Sequence, residues 1–310
     1  MIREIKKEVS MAGLSHLKHF FFNSKGGEKI SYYYNQKEDK PCLLLIHGNA
    51  SSATEWSELI DKYHEDYNIL APEMRGFGDS SYNKPVVELI ELARDLVELV
   101  DALHWGKMIV IAWSLGGGVA AEFCHLIPDR VTKLVLTASM WLGGYPMYEI
   151  NEQGYQLDKP LKSKEEIAKS PYYLPGHLAV VNNDEKALEA GIVALFARVK
   201  PERSFIWKMK ESMHKQQNTL DVDYALLIYN ITDEENASGF PGSGHYHDLT
   251  MPILLLHGTK DVMVSDKLAH KNKALLGEKA ELDIFPGGGH ALHLDFEDQW
   301  YQRVNAFLKE

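Results

Sequence analysis

The chain of 310 residues is poor in several things, and each shortage excludes something. Two cysteines, Cys42 and Cys124, are too few for a disulfide framework, so free thiols in a reducing compartment are the expectation. No window holds a membrane span's length of consecutive apolar residues, which argues against a transmembrane helix. Residues 1–13 mix charged and apolar side chains without a continuous hydrophobic segment. No secretory signal is therefore expected, and a cytoplasmic location is. Positive charge is short too: 33 Lys and Arg against 44 Asp and Glu give a net charge of −11. Nucleic acid is excluded as a partner on that balance, because phosphate binding needs a basic face. No fixed-period repeat or low-complexity tract is evident, so a repeat architecture is excluded as well. What is present is ordinary for a globular protein, 45% hydrophobic and 25% charged residues. One α/β domain with a large core can hold this length.

Short aliphatic runs alternate with helical periodicity. Strands are expected at about 43–47, 69–73, 108–113, 134–139, 253–257 and 282–285. Most are near-continuous in aliphatics, as suits strands buried on both faces of a parallel sheet. Residues 17–23 and 29–34, joined through Gly26 and Gly27, read as a hairpin that brings the sheet to eight strands. Between the runs, Pro85 can open a helix in which Leu89, Ala93, Leu96, Val100 and Leu103 share one face. Residues 53–64, 115–127, 265–276 and 296–308 read similarly. Strand–helix alternation predicts an α/β fold, a mostly parallel eight-stranded sheet with helices on both faces.

One interval breaks the rhythm. Roughly 80 to 90 extra residues lie between Ser139 and Pro252, more than a structureless loop carries. Ser163-Lys164-Glu165-Glu166 resembles a capping box, and 185–199 and 203–214 have helical spacing. The stretch also holds Tyr172, Tyr173, Leu188, Phe196, Phe205, Trp207, Tyr224 and Tyr229. The expected organisation is therefore a core of 1–139 and 251–310, with 140–250 inserted as a helical cap over one end of the sheet.

Ala112-Trp113-Ser114-Leu115-Gly116-Gly117-Gly118 stands directly after an aliphatic strand and directly before a helical pattern. A strand that turns sharply into a helix needs small neighbours, because its middle residue is forced into strained backbone with the side chain exposed. Ser114 occupies that place, with a helix N-terminus behind it to favour developing negative charge.

With this elbow, the chain resembles the α/β-hydrolases. The likeness extends through Leu45-Ile46-His47-Gly48-Asn49, Arg75-Gly76-Phe77-Gly78-Asp79-Ser80, Pro128-Asp129-Arg130-Val131, His257-Gly258-Thr259-Lys260-Asp261 and Gly289-His290. The departure is Ala112 where the family usually has glycine, and alanine is small enough to fit. A serine hydroxyl is a weak nucleophile without a base and an acid to orient that base, and the family order is Ser, then Asp or Glu, then His. Asp261 follows the strand at 253–257, at the carboxyl end where α/β sheets place their sites. The family's other place for the acid, after the strand ending at Ser139, holds no carboxylate between 135 and 148. His290, in a glycine-rich loop after the last strand, is the expected base among 14 histidines, with His293 the weaker choice. The oxyanion donors implied are the N–H groups of Leu115 and Asn49, with Ala50 as substitute for the latter.

Other features read as structural. Arg75-Gly76-Phe77-Gly78 lacks the third glycine of a dinucleotide loop and reads as a turn. His245 and His247 could share a face of an extended segment, but no third metal ligand is apparent. Cys124 packs as a small apolar residue. Trp113 and Trp141 are the candidates for lining an acyl or alcohol pocket.

The resemblance thus implies a serine hydrolase that needs no metal or organic cofactor and acts on a small to medium, largely apolar ester, thioester or lactone. A serine at the elbow sets the chain apart from the family's dehalogenases and epoxide hydrolases, which use an aspartate there. Two alternatives stay open: a carbon–carbon hydrolase, acyltransferase or perhydrolase of the same fold, and a small-molecule receptor that retains slow hydrolysis. The oligomeric state is not legible.

Overall fold

The computed structural model describes residues 13–171 and 173–310; the expectations for residues 1–12 and for Tyr172 lie outside these. After a short turn at Gly13–His16, β1 (Lys18–Asn23) and β2 (Lys29–Tyr34) form the expected antiparallel hairpin. There follow β3 (Cys42–Ile46), α1 (Ser57–Tyr63), β4 (Asn68–Pro72), α2 (Leu89–Ala102), β5 (Met108–Trp113), α3 (Leu115–Leu126) and β6 (Val131–Thr137). Then comes the long insertion. Among the described residues it holds a two-stranded hairpin, β7 (Tyr148–Ile150) and β8 (Gln156–Pro160), and five α-helices. These are α4 (Lys164–Ala168), α5 (Leu174–Val181), α6 (Glu185–Val193), α7 (Arg203–Lys215) and α8 (Thr219–Ile228). The chain returns through β9 (Ile253–Gly258), α9 (Asp266–Leu276), β10 (Ala280–Phe285), α10 (Leu292–Asp295) and α11 (Glu297–Lys309).

The eight strands lie in the order β1-β2-β4-β3-β5-β6-β9-β10. The first two pairings are antiparallel and the rest parallel. The fold is therefore the α/β arrangement expected from the sequence.

Period-two alternation divides the aliphatic runs between the two faces. Leu44, Ile46, Val110, Ala112, Leu134 and Leu136 pack under α2 and α3 with Leu96, Leu99, Val119 and Phe123. Leu43, Leu45, Ile111, Trp113, Val135 and Leu254 pack on the other face with Leu59 and Ile60 of α1 and Trp300, Val304 and Phe307 of α11. Burial on both faces is why these strands show no polar alternation.

Three expectations need correction. The helix assigned to Pro85 begins at Leu89, because Glu88 and Glu91 form a reciprocal capping box there. The 185–199 helix stops at Val193, because the N–H groups of Ala197, Arg198 and Val199 are taken by the Asp295 carboxylate at 2.8 to 3.1 Å. The 245–247 segment is a short 3-10 helix, not extended. Its imidazoles diverge, His245 to Glu122 at 2.8 Å and His247 to Asp233 at 3.1 Å. The Ser163 capping box with Glu166 is formed as read. No helix among the described residues is long and apolar enough to cross a membrane.

Candidate active site

Ser114 joins β5 to α3 with φ 56° and ψ −120°. That is backbone an ordinary side chain avoids, at a cost of about 1–3 kcal/mol. The turn is held by Ser114 N–H donating to Thr137 O at 3.1 Å and Gly117 N–H donating to Ser114 O at 3.0 Å. Gly116 lets the first turn of α3 approach β3: a Cβ there would stand 2.5 Å from His47 O and 2.6 Å from Ile46 O. Sharp geometry leaves the Ser114 hydroxyl at the sheet's carboxyl edge, facing a cavity of about 550 Å³.

His290 Nε2 lies 3.0 Å from Ser114 Oγ, and His290 Nδ1 lies 2.8 Å from Asp261 Oδ2. The three residues selected from the sequence, 176 and 29 positions apart, are therefore in one hydrogen-bonded chain. The Asp261 carboxylate has no solvent exposure. Burial pushes its pKa up, but hydrogen bonds from His257 and His290, the charge of His290 and the Val264 N–H outweigh that, and the net shift is well below the usual range. It is held ionised, with Nδ1 of His290 as donor and Nε2 as acceptor toward the serine.

Sequence reasoning missed three supports of this chain. His257, at the end of β9 and buried, donates from Nε2 to Val264 O at 2.8 Å and sits 3.3 Å from Asp261 Oδ2. The signal available was its place four residues before Asp261. Asp295 of α10 accepts from Gly289 N–H at 2.8 Å as well as from the three amides that end the preceding insertion helix, so it ties the His290 loop to the insertion. Trp113 Nε1 donates to His290 O at 3.0 Å.

That last contact corrects the role expected of Trp113. Strand alternation turns its side chain onto the α1 and α11 face, 2% exposed and against the rings of His290 and His293. It does not line the cavity. Trp141 does not either: its ring packs over Gly143 and beneath Lys271 of α9, and Met140 takes the wall position instead. His293 is buried against Trp56 and Trp113. Burial lowers its pKa to about 3, and it takes no part in the chain to Ser114.

The loop after β3 stands beside the nucleophile; a Cβ on Gly48 would lie 3.2 Å from Ser114 Cβ. His47 is buried, its pKa lowered by desolvation to about 4, so the imidazole is neutral. Its Nδ1–H donates to Gly48 O at 2.8 Å and its Nε2 accepts Met74 N–H at 3.1 Å. Because a trans peptide sets N–H opposite to C=O, fixing the Gly48 carbonyl also fixes the direction of Asn49 N–H. Neither Asn49 N–H nor Leu115 N–H donates to another group among the described residues, and both residues line the cavity. Ala50 N–H is already committed to Asn49 Oδ1 at 3.0 Å, which favours Asn49 over Ala50 as an available donor.

Arg75-Gly76-Phe77-Gly78 is a turn, as read, and its Arg75 pairs with Asp95 through two bonds of 2.8 and 3.0 Å. Among the described residues His19, Glu73 and Asp79 bring ligand atoms within 4.8 Å of one another. Their atoms are already used by Ser31 Oγ, Asp79 N–H and Lys215, and none of the three lines the cavity.

Comparison with known proteins bears on the fold. The family model described as the alpha/beta hydrolase fold matches residues 41–297. The chain is 27% identical over 293 residues to a dihydrolipoyllysine-residue acetyltransferase component of an acetoin cleaving system from Pseudomonas putida, covering 92% of this chain and 68% of that one. It is 23% identical over 289 residues to a pimeloyl-[acyl-carrier protein] methyl ester esterase from Aliivibrio fischeri, covering 90% and 98%. An esterase from Exiguobacterium antarcticum superposes with a TM-score of 0.72 at 17% identity, covering 94% of this chain and 100% of that one.

Proposed function

The chain belongs to the alpha/beta hydrolase fold family, and from that premise we propose that it is a serine hydrolase working through an acyl-enzyme on Ser114. The observation that carries this reading is the unbroken hydrogen-bond chain from Ser114 Oγ through His290 to Asp261, at 3.0 and 2.8 Å. In the first half-reaction Ser114 Oγ attacks a carbonyl carbon while His290 Nε2 takes the hydroxyl proton. Asp261 holds the imidazole in that tautomer and stabilises its cation. Charge developing on the carbonyl oxygen meets the N–H groups of Asn49 and Leu115, donors already oriented before reaction. His290 gives its proton to the leaving group, then activates water to release the acid.

Residues 140–250 act in this reading as a cap. Met147, just before β7, and Val180, Val181, Met213 and Leu226 of the helices wall the cavity, and a volume of about 550 Å³ suits a small to medium acyl group. The substrate class proposed is a carboxylic ester, thioester or lactone, which accords with the methyl ester esterase among the relatives. A serine rather than an aspartate at position 114 separates this chain from carboxylate-nucleophile chemistry. Neither the cavity nor the triad calls for a metal or organic cofactor, and the two free cysteines fit a cytoplasmic setting.

Rapid mixing with p-nitrophenyl butyrate tests the reading. A burst of p-nitrophenol equal to the enzyme concentration, abolished in Ser114→Ala, is the expected result. Steady hydrolysis that survives in Ser114→Ala would refute it.

A further inference from the structure

Asp223 of α8 is a carboxyl group that the reaction proposed above does not use, and it lines the same cavity as Ser114. Its surroundings give it little. Its one hydrogen bond among the described residues comes from Asn49 Nδ2 at 3.4 Å, longer than a good N–H···O bond. Two positions earlier on the same helix, Asp221 is fully committed, to Lys164 and to Tyr82 OH. Among the described residues no lysine or arginine lines the cavity, so no permanent cation there offsets the Asp223 carboxylate. A half-buried carboxylate with one long hydrogen bond is poorly compensated, and desolvation pushes this one to a pKa of about 7 against the smaller opposing effect of Asn49.

We propose that Asp223 is the specificity-determining residue of the cavity, a hydrogen-bond acceptor that recognises an O–H or N–H donor on the substrate. The proposal rests on the hydrolase reading. Asn49 connects the two: its side chain bonds Asp223 and accepts Gln216 Nε2 at 2.9 Å, while its backbone N–H is the proposed oxyanion donor. The donor group that Asp223 recognises therefore lies near the reacting carbonyl rather than at the end of a long chain. Substrates with an anionic group at that place are rejected, since they would meet a carboxylate and no counter-charge. An unsubstituted aliphatic acyl group fits by volume but leaves the carboxylate unpaired, and such an unmet polar group is what makes a site discriminate.

The test is a matched series of ethyl butyrate, ethyl β-hydroxybutyrate and ethyl β-aminobutyrate, followed by pH-stat titration with the full chain. In the parent enzyme a donor-bearing ester is preferred over ethyl butyrate by about ten- to hundredfold in kcat/KM, the range of a hydrogen bond to a charged group. Asp223→Leu removes that preference, the kcat/KM ratio of each donor-bearing ester to ethyl butyrate falling to near one, and the reading is that ratio rather than either absolute rate. Where the leucine variant does not fold, Asp223→Asn serves: the preference for the ammonium ester falls about tenfold or more, because the amide keeps the shape and loses the charge.

The ratio of the ammonium to the unsubstituted ester also carries a pH signature. It falls as pH drops through about 7 in the parent, where Asp223 gains its proton, and is flat in Asp223→Asn. Taking the ratio cancels His290, which both esters use. The other titratable groups lining the cavity among the described residues are Tyr145, Tyr173, His177 and Asp221, the last paired with Lys164, and Asp223→Asn leaves all of them in place. Equal selectivity in parent and variants overturns the role of Asp223 alone. Failure of every ester, with no burst on p-nitrophenyl butyrate, overturns the hydrolase reading instead.

Discussion

Exchanging Asp261 for asparagine replaces one oxygen of a buried carboxylate by an amide nitrogen, and the cost follows from its neighbours. Oδ1 accepts Met263 N–H at 2.8 Å and Val264 N–H at 2.9 Å, so the asparagine oxygen is held at that position. Its NH2 group then faces His290 Nδ1 and His257 Nε2, two groups that donate toward Asp261 in the parent. Donor meets donor. His290 relieves the conflict by moving its proton to Nε2, which presents N–H instead of a lone pair to Ser114 Oγ. A wrong tautomer in a triad of this type costs about 10⁴ in kcat, or about 5 kcal/mol of transition-state stabilisation. His257 keeps its bond to Val264 O, so the β9 turn retains an anchor and the variant folds. Steady-state kinetics on p-nitrophenyl butyrate measure the loss, with circular dichroism to verify folding. A folded Asp261→Asn enzyme with kcat within about tenfold of the parent would refute the reasoning.

Other perturbations test separate links. Trp113→Phe removes the N–H that holds His290 O; kcat falls by about ten- to a hundredfold through misplacement of the base, while KM across acyl-chain lengths is unchanged. A wall residue would have altered KM with chain length, so that outcome would contradict the positioning role. Asp295→Ala deprives four amides of their acceptor and lowers both thermal stability and kcat; an unchanged melting temperature would contradict its tie between insertion and loop. His47→Leu frees the Gly48 carbonyl and lowers kcat by about 10²–10³, the cost of one oxyanion donor, whereas an unchanged kcat would separate His47 from the Asn49 amide. His47 and His293 bear on pH, their pKa values lowered by burial to about 4 and about 3. Both take up protons in the unfolded chain below about pH 6.5 but not in the folded one. Stability therefore declines as pH falls below that value, by about 1.4 kcal/mol per unit for each imidazole. Urea unfolding at pH 7, 6 and 5 measures this, and equal stability at all three would contradict it.

The sheet was legible because its strands are buried on both faces and carry aliphatic runs at both odd and even positions. The Ser114 elbow was legible because strained backbone demands small neighbours at fixed offsets, and Asp261 and His290 followed from strand ends and chain order. Residues whose roles arise from tertiary packing were not. His257 and Asp295 look like any buried strand-end histidine and helical aspartate until the loops that they hold are folded around them. Trp113 was misassigned because adjacency to Ser114 in sequence puts it on the opposite face of the strand, a consequence of the period-two rule. In the insertion, α5 and α8 and the β7–β8 hairpin lack clear amphipathic patterns. Several of their apolar residues face the cavity rather than the sheet, as Val180, Val181 and Leu226 do.

The most direct test is labelling with a fluorophosphonate, which reacts only with an activated serine, followed by mass-spectrometric mapping of the adduct. The expected result is a single modified peptide carrying Ser114, with labelling lost in Ser114→Ala and slowed by orders of magnitude in His290→Ala. An adduct on any other serine, or equal labelling of Ser114 with and without the imidazole at position 290, would contradict the account.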